Sequence, residues 1–335
     1  MKKRGNSVKL TIQDIANMAG VSKSTVSRYL NNGYVSKENI EKIAKVIDKT
    51  GYKTNFFAKR LKSKKSGLIG IIIPRIDSFT ASKTLQGISG KLENEGYQPI
   101  ILTSNLDKEK EISYINKLYL EGMDGIIVMA FCISEEHIQL INKLPIPIIF
   151  TGQIRYGVNC IAIDDYKAGK LMGDFVKKQG HKNIVYVGVT EEDKAVGVCR
   201  KKGFFDAFKD EAEIKYIETD FTLNSAYENA HKAVAFKPSI IVGATDNIAI
   251  GINRYLMEKG IRVPDDISVA GFGDYDIGTA IYPALTTVSF DYKFLGFEAA
   301  TRMLSLIRSE KLLELEEVPI KLVKRQSVKN LLFRE

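Results

Sequence analysis

The sequence predicts two unlike parts: a small all-α head, and a larger α/β body of two parallel-sheet subdomains. Apolar residues in the first fifty positions recur at helical spacing in three short segments. From Gly67 onward, short apolar runs alternate with helical stretches. The charge divides at the same place. Residues 1 to 66 carry 16 Lys and Arg against 4 Asp and Glu, a net of +12, and the remainder carries 33 against 36, a net of −3. A chain of 335 residues exceeds one average domain, and 44% hydrophobic residues suffice for large packed cores.

In the head, Thr11 can cap a first helix with Asp14 three residues on, as in a capping box. Ile12, Ile15, Ala16 and Ala19 then form one apolar face. Gly20-Val21 turns the chain and Ser22 can cap a second helix, Lys23 to Leu30, which ends at Asn31-Asn32-Gly33. Val26 and Tyr29 face one way, while Lys23, Ser24, Ser27 and Arg28 fill the opposite arc. Ser36 can cap a third helix carrying Ile40, Ile43, Ala44 and Ile47, and Gly51 suits its C-terminal end.

Two helices joined by a tight Gly-containing turn, inside a strongly basic segment, predict a helix-turn-helix. Its second helix enters the major groove of DNA. Base reading is expected from Lys23, Ser24 and Arg28, with Arg28 able to offer guanine two donors. Phosphate contacts are expected from Thr25, Ser27 and Asn31. The alternative is a small helical domain whose polar arc simply faces water.

Thr11-Ile12-Gln13-Asp14-Ile15-Ala16 and Ala19-Gly20-Val21-Ser22-Lys23-Ser24-Thr25-Val26-Ser27-Arg28-Tyr29-Leu30-Asn31-Asn32-Gly33 resemble the head of the lactose/galactose repressor (LacI/GalR) family. The resemblance implies a homodimer on a near-palindromic double-stranded operator. It continues into Ala58-Lys59-Arg60-Leu61, which resembles the family's hinge helix, although Thr54 stands where many members have proline. By that match Leu61 wedges into the minor groove, with Ala58, Lys59 and Lys62 beside it. So short a helix is marginal alone and is expected to form only where two hinges and DNA meet.

The body shows apolar runs at 68–73, 99–102, 125–129, 146–150, 184–187, 240–242 and 267–272, with helical stretches such as 81–96, 109–121, 165–179, 199–209 and 245–259 between them. This alternation means parallel sheet covered by helices on both faces. Leu68-Ile69-Gly70-Ile71-Ile72-Ile73-Pro74, Arg200-Lys201-Lys202-Gly203-Phe204, Thr245 to Gly251, Pro264 to Phe272 and Leu322 to Ser327 resemble further landmarks of the family. They imply a periplasmic-binding-protein-like sensor with a cleft between two lobes. The expected divisions are a DNA-binding head at 1–54, a hinge at 55–66 and an effector-binding and dimerisation domain at 67–335. Within the last, an N-subdomain spans about 67–162 and 291–318, and a C-subdomain about 163–290 and 319–335. No leucine-heptad tail follows the closing strand, so a dimer is expected rather than a tetramer.

Ligands of open α/β sheets sit outside the carboxyl ends of the strands. That rule selects Arg75, Asp77, Ser78 and Phe79 after the first strand, Gln153 after the fourth, and the loops at Val189, Asp246 and Gly273. By resemblance Arg200 contacts effector, and Phe79 can stack on a sugar face. The alternatives are an internal salt bridge for Arg200, a local pair of Arg75 with Asp77, and a helix cap for Asp246. Many relatives have an acidic residue where Gly273 stands and Asp-Arg where Gly152-Gln153 stands. Residues 74–78 and 243–246 resemble repressors of sucrose or trehalose operons of low-GC bacteria. The effector implied is a sugar or sugar phosphate. The loss of acidic groups, with Arg75 and Arg200 placed on opposite lobes by the family resemblance, points to a phosphorylated disaccharide such as sucrose 6-phosphate or trehalose 6-phosphate. The neutral alternative is sucrose or fructose held by Asp77, Gln153 and Asp246. Release of the operator by effector is the expected response.

Cys132, Cys160 and Cys199 fit neither a disulfide framework nor a zinc site, and His137, His181 and His231 lack ligand neighbours, so no metal or cofactor is expected. There is no phosphate-binding Gly-rich loop, and Asp164-Asp165 reads as a helix cap rather than a catalytic pair, so no enzyme is expected. No apolar run reaches the roughly 18 residues of a membrane span, and no signal-peptide core follows the basic N-terminus. A cytoplasmic protein is expected, not a transport binding protein. A global carbon-catabolite regulator with a phosphoprotein corepressor remains the alternative.

Overall fold

The computed structural model describes residues 10–30, 33–52, 65–209, 211–311 and 316–332. The chain divides into two compact units between Ser66 and Gly67.

The head unit holds α1 (Ile12–Ala19), α2 (Lys23–Leu30) and α3 (Lys37–Thr50). The capping box of α1 is formed: Asp14 N–H donates to Thr11 Oγ1 at 3.3 Å, and Thr11 N–H to Asp14 Oδ2 at 2.8 Å. Gly20 and Gly51 close α1 and α3 in the left-handed conformation, at φ +64° and +63°. Ser22 Oγ caps α2 through Thr25 N–H at 3.1 Å. Ser36 stands at the N-cap position of α3, but its side chain makes no capping bond. Ile15, Ala16, Ala19, Val26 and Ile43 are buried together, with Tyr29, Val46 and Ile47 against them. Ile40, expected in this core, stays 40% exposed. It sits one turn before the stretch of α3 on which the packing centres.

The second unit contains two sheets. The first has strands β1 (Leu68–Ile73), β2 (Gln98–Thr103), β3 (Gly125–Met129), β4 (Ile148–Thr151) and β5 (Cys160–Ile161) in the order β2-β1-β3-β4-β5, all parallel. The helices between them are α4 (Phe79–Asn94), α5 (Lys108–Leu120) and α6 (Glu135–Ile141). Ile69, Ile71 and Ile73 pack into one core and Ile72 into another. A central strand buried on both faces therefore reads as an unbroken apolar run.

The second sheet has β6 (Asn183–Gly188), β7 (Glu213–Glu218), β8 (Ile240–Gly243), β9 (Ser268–Gly273), β10 (Thr286–Phe290) and β11 (Ile320–Val323), ordered β11-β10-β9-β8-β6-β7. Only β11 runs antiparallel to its neighbour. Its helices include α7 (Asp165–Lys178), a π-helical turn at Lys194–Arg200 continuing into α8 (Lys201–Asp206), α9 (Leu223–Ala235), α10 (Asp246–Glu258) and α11 (Asp276–Ala280).

After β10 the chain leaves the second sheet as α12 (Tyr292–Arg308), which lies along α4 beside the first. Glycines allow this close crossing. A Cβ on Gly296 would meet the Thr84 carbonyl oxygen at 2.0 Å, and one on Gly87 the Lys293 carbonyl oxygen at 2.0 Å. Neither obstacle is a flexible side chain, so Gly296→Ala must push the two helices apart. We expect it to cost about 1–3 kcal/mol, as overpacked cores do. A lower urea midpoint checks this; an unchanged midpoint would show that the crossing yields freely.

Candidate functional site

On α2 of the head, Val26 is buried and Tyr29 packs on the core, which turns Lys23, Ser24 and Arg28 outward, all exposed. Thr25 and Ser27, expected on phosphates, are partly buried at the edge of the same face. Ser24 Oγ and Thr25 Oγ1 lie 2.7 and 2.8 Å from Ser22 Oγ, so the start of α2 carries a small hydroxyl network. Asn31 and the hinge residues Ala58, Lys59, Leu61 and Lys62 lie outside the described residues.

In the second unit, the carboxyl ends of both sheets face one cavity; cavity and mouth together span about 1160 Å³. One wall comes from the β1–α4 loop with Arg75, Asp77, Ser78 and Phe79, and from Gln153 after β4. The other comes from Asp193 and Arg200 after β6, Phe221 after β7, Asn247 after β8, Tyr275 after β9 and Tyr292 after β10. Six of the seven residues expected to touch effector thus meet at one cleft.

Both of its guanidiniums are already matched. Arg75 grips Asp77 with Nε to Oδ1 at 2.9 Å and Nη2 to Oδ2 at 2.6 Å. That bond raises the Arg75 pKa and holds the Asp77 carboxyl below its ordinary range. Arg200 is 4% exposed. Its Nε and Nη2 donate to Asp165 Oδ1 at 2.8 and 2.5 Å, and its Nη1 to the Ala244 carbonyl at 2.7 Å. The guanidinium also lies over the rings of Phe272 and Phe290, 5.2 and 5.1 Å from their centroids. Burial, the largest influence, would lower its pKa, but Asp165 together with Tyr292 and Tyr186 offsets this and the net shift is upward. Asp165 is therefore no helix cap; Asp164 alone caps α7, accepting from Lys167 N–H at 2.8 Å.

Ser78 caps α4 through Ala81 N–H at 3.3 Å, and so aims the next residue, Phe79, inward. The Phe79 ring meets Tyr275 of the other lobe at 4.4 Å between centroids. Gln153 Nε2 donates across the lobes to Asp193 Oδ1 at 3.2 Å. Burial pushes the Asp193 pKa up, against the opposing bonds from Val196 N–H and Gln153.

Asp246 is the exception. It is fully buried and does not line the cavity, which its neighbours Thr245 and Asn247 reach instead. Its carboxylate accepts from Tyr275 N–H at 2.8 Å and Thr287 Oγ1 at 2.6 Å, tying the start of α10 to β10 and the loop after β9. Gly271 leaves it room, since a Cβ there would meet Asp246 Oδ1 at 2.4 Å. Sequence reasoning also passed over Asp165, Asp193, Phe221, Asn247, Tyr275 and Tyr292. The strand-end rule could have found Tyr275, two residues past Gly273. Tyr292 needed β10, which does not stand out as an apolar run.

Comparison with known proteins accounts for both units. The model for bacterial regulatory proteins of the lacI family matches residues 11–55, and that for a periplasmic binding protein-like domain matches 174–328. The sucrose operon repressor of Staphylococcus xylosus is 36% identical over 304 residues, covering 89% of this chain and 94% of that protein. The chain is a member of the lacI family of bacterial regulatory proteins. Catabolite control protein A of Priestia megaterium is 29% identical, over 96% of this chain and 99% of its own length. The crystal structure of the lac repressor dimer bound to operator and anti-inducer matches 96% of this chain and all of its own, with a TM-score of 0.86 at 23% identity, a likeness of fold. As a family member the chain is a sequence-specific DNA-binding transcriptional regulator and not an enzyme, with a helix-turn-helix head and a periplasmic-binding-protein-like sensor. Among the described residues no helix is long and apolar enough to cross a membrane.

Two outcomes follow. Arg28→Ala should weaken operator binding by about 1–3 kcal/mol and relax preference at one base pair per half-site. Titration showing equal loss on random DNA would make Arg28 a phosphate contact. Burial raises the Asp246 pKa from 3.8 to about 6. The folded state then holds this proton more tightly than the unfolded chain, so the group's contribution to stability is full below 3.8 and is lost as pH rises through about 6. The stability difference between wild type and Asp246→Asn, followed by urea melts, should shrink as pH rises across that window. A difference that grows would contradict the assignment.

Proposed function

We propose that the chain represses a sugar-utilisation operon and that an uncharged disaccharide in the cleft releases it from its operator. In this reading residues 1–54 are the DNA-binding domain, 55–66 the hinge and 67–335 the effector-binding and dimerisation domain, working as a homodimer in the cytoplasm, where the operator is. Lys23, Ser24 and Arg28 read bases, Thr25, Ser27 and Asn31 hold phosphates, and Leu61 with Ala58, Lys59 and Lys62 engages the minor groove. The sugar assignment draws on the relation to the sucrose operon repressor.

The charge balance of the cleft carries the choice of an uncharged ligand. Its lining holds the guanidiniums of Arg75 and Arg200 and the carboxylates of Asp77, Asp165 and Asp193. Each guanidinium already sits on a carboxylate, so even with Asp193 protonated no positive charge is left over. A phosphate would have to break one of these pairs or enter against them. This weighs against the sugar phosphate favoured by the sequence alone. Arg75, Asp77, Ser78, Gln153 and the two N–H groups of Arg200 not engaged internally remain hydrogen-bonding groups for sugar hydroxyls, and Phe79 offers a ring face.

A second reading is a global carbon-catabolite regulator acting with a phosphoprotein, supported by the 29% identity to catabolite control protein A. Calorimetry on the full chain with sucrose, trehalose and their 6-phosphates separates these readings. We expect a free sugar to bind at least as tightly as its phosphate and to lower operator affinity. A phosphate bound tenfold more tightly would overturn the uncharged ligand. No response to any sugar, with operator affinity raised by a phosphoprotein, would favour the second reading.

A further inference from the structure

We infer that Tyr275 and Tyr292 are the specificity-determining residues of the cleft, each donating its phenolic hydrogen to an oxygen of the bound saccharide. The inference rests on the saccharide reading above and adds which side chains select the sugar.

Both residues line the cavity and both are only 8% exposed. Neither hydroxyl has a hydrogen-bond partner among the described residues, yet neither is sealed from the cavity. Tyr186 shows the contrast. Its hydroxyl also lacks a partner, but it is closed off in the core of the second lobe, between Phe204 and Tyr216. A phenol hydroxyl that is open to a cavity and not engaged by the protein keeps its donor for whatever fills that cavity. Two of them opening on one cavity mark donors that a ligand completes.

Their surroundings fix them in place. The Tyr275 backbone N–H is bonded to Asp246, and its ring packs against Phe79 at a tilt of 33°. The same ring occupies the space beside Gly273, where a Cβ would meet its Cε1 at 2.2 Å with φ at +134°. A side chain at 273 and the Tyr275 ring cannot both be accommodated. Tyr292 opens α12 directly after the cap Asp291, which accepts from Phe294 N–H at 2.9 Å, and its ring centroid lies 5.6 Å from that of Phe290. Rings held this way lose little freedom on binding. Burial raises both phenol pKa values, so each carries its proton at neutral pH and acts as a donor.

The placement also separates them, one within the second lobe and one where the chain crosses to the first. Tyr275 belongs to the loop after β9, while Tyr292 starts the helix that packs along α4 beside the first sheet. A ligand with oxygens in both positions ties the two together. A site that hydrogen-bonds a substrate oxygen rejects an analogue lacking it far more strongly than an apolar pocket rejects a missing methylene.

The test uses full-length Tyr275→Phe and Tyr292→Phe, which keep the rings and remove only the hydroxyls. Calorimetry with sucrose and trehalose should show Kd raised by about 3–10-fold in each variant, the range for one neutral hydrogen bond. Melting temperatures without sugar should be unchanged or higher, since no internal bond is lost. With monodeoxy analogues of the bound sugar, the one lacking the oxygen read by Tyr275 should bind worse than the parent to wild type but equally well to Tyr275→Phe. Wild-type affinity in both variants, or a fall of several degrees in their unliganded melting temperatures, would overturn the role of the hydroxyls. If wild type binds neither sugar nor either 6-phosphate, the saccharide reading itself fails.

Discussion

The sensor is organised around one buried ion pair. Arg200 is too enclosed to leave its charge unmatched, and an unpaired guanidinium in that position would cost several kcal/mol. Satisfying it draws together the start of α7 through Asp165, the end of β8 through the Ala244 carbonyl, and the faces of Phe272 and Phe290 at the ends of β9 and β10. Glycines make the approach possible. A Cβ on Gly169 of α7 would meet the Arg200 carbonyl oxygen at 2.0 Å, and one on Gly203 the Tyr166 carbonyl oxygen at 2.0 Å. The pair thereby holds the strand ends that form the wall of the cleft in the second lobe. Asp246 does comparable work beside it, joining α10 to β10 and to the backbone of Tyr275.

How legible each part is in the sequence depends on how local its cause is. The head is almost wholly legible, because capping boxes, helical periodicity and a Gly turn act within a few residues. Its departures, Ile40 and Ser36, depend on how α3 meets the other helices. Most strands are legible as apolar runs, the edge strand β2 among them, whereas β10, although central, and the edge strands β5 and β7 are not. β5 is two residues long, and β7 reads Glu-Ile-Lys-Tyr-Ile-Glu, with charges that keep an edge strand from pairing further. In the cleft, the strand-end rule finds residues directly after a visible strand, as it does for Arg75 to Phe79 and Gln153. It cannot tell a side chain that faces the ligand from one that turns beneath the sheet. Asp246 and Asn247 are adjacent at one strand end, and the register of α10 alone sends the first inward and leaves the second on the cavity. The partner of Arg200, 35 residues earlier in the chain, is beyond any local pattern.

Glycine at 152 and 273 reads, in sequence alone, as a loss of acidic groups and hence an opening for an anion. The structure supplies another reason for the second position: Tyr275 fills the space that a side chain there would need. The neighbouring Asp274 carboxylate is turned to Arg325, 2.5 Å from its Nη2. The Tyr275 ring on the cavity wall makes the cavity less polar without making it more positive.

Besides the buried Gln153–Asp193 bond, two contacts among the described residues join the lobes at the mouth, and they are unequal. Lys83 of α4 reaches Asp276 of α11 at 3.3 Å, but the Asp276 side chain is 83% exposed, so solvent screens most of that attraction. The Phe79–Tyr275 ring pair is better shielded, and such a pair contributes about 0.5–1.5 kcal/mol beyond its buried area. Turning a closure equilibrium from 1:99 to 99:1 requires a differential of about 5.5 kcal/mol. The ring pair cannot supply that by itself. Hydrogen bonds of about 0.5–1.5 kcal/mol each, made only when both lobes touch the ligand, can do so if there are about four or more. A small polyhydroxylated ligand offers that many oxygens and a cleft lined from both lobes offers the partners. The energy of the switch then resides in contacts made by both lobes at once, and a ligand held by one lobe alone would bind without changing the state of the regulator.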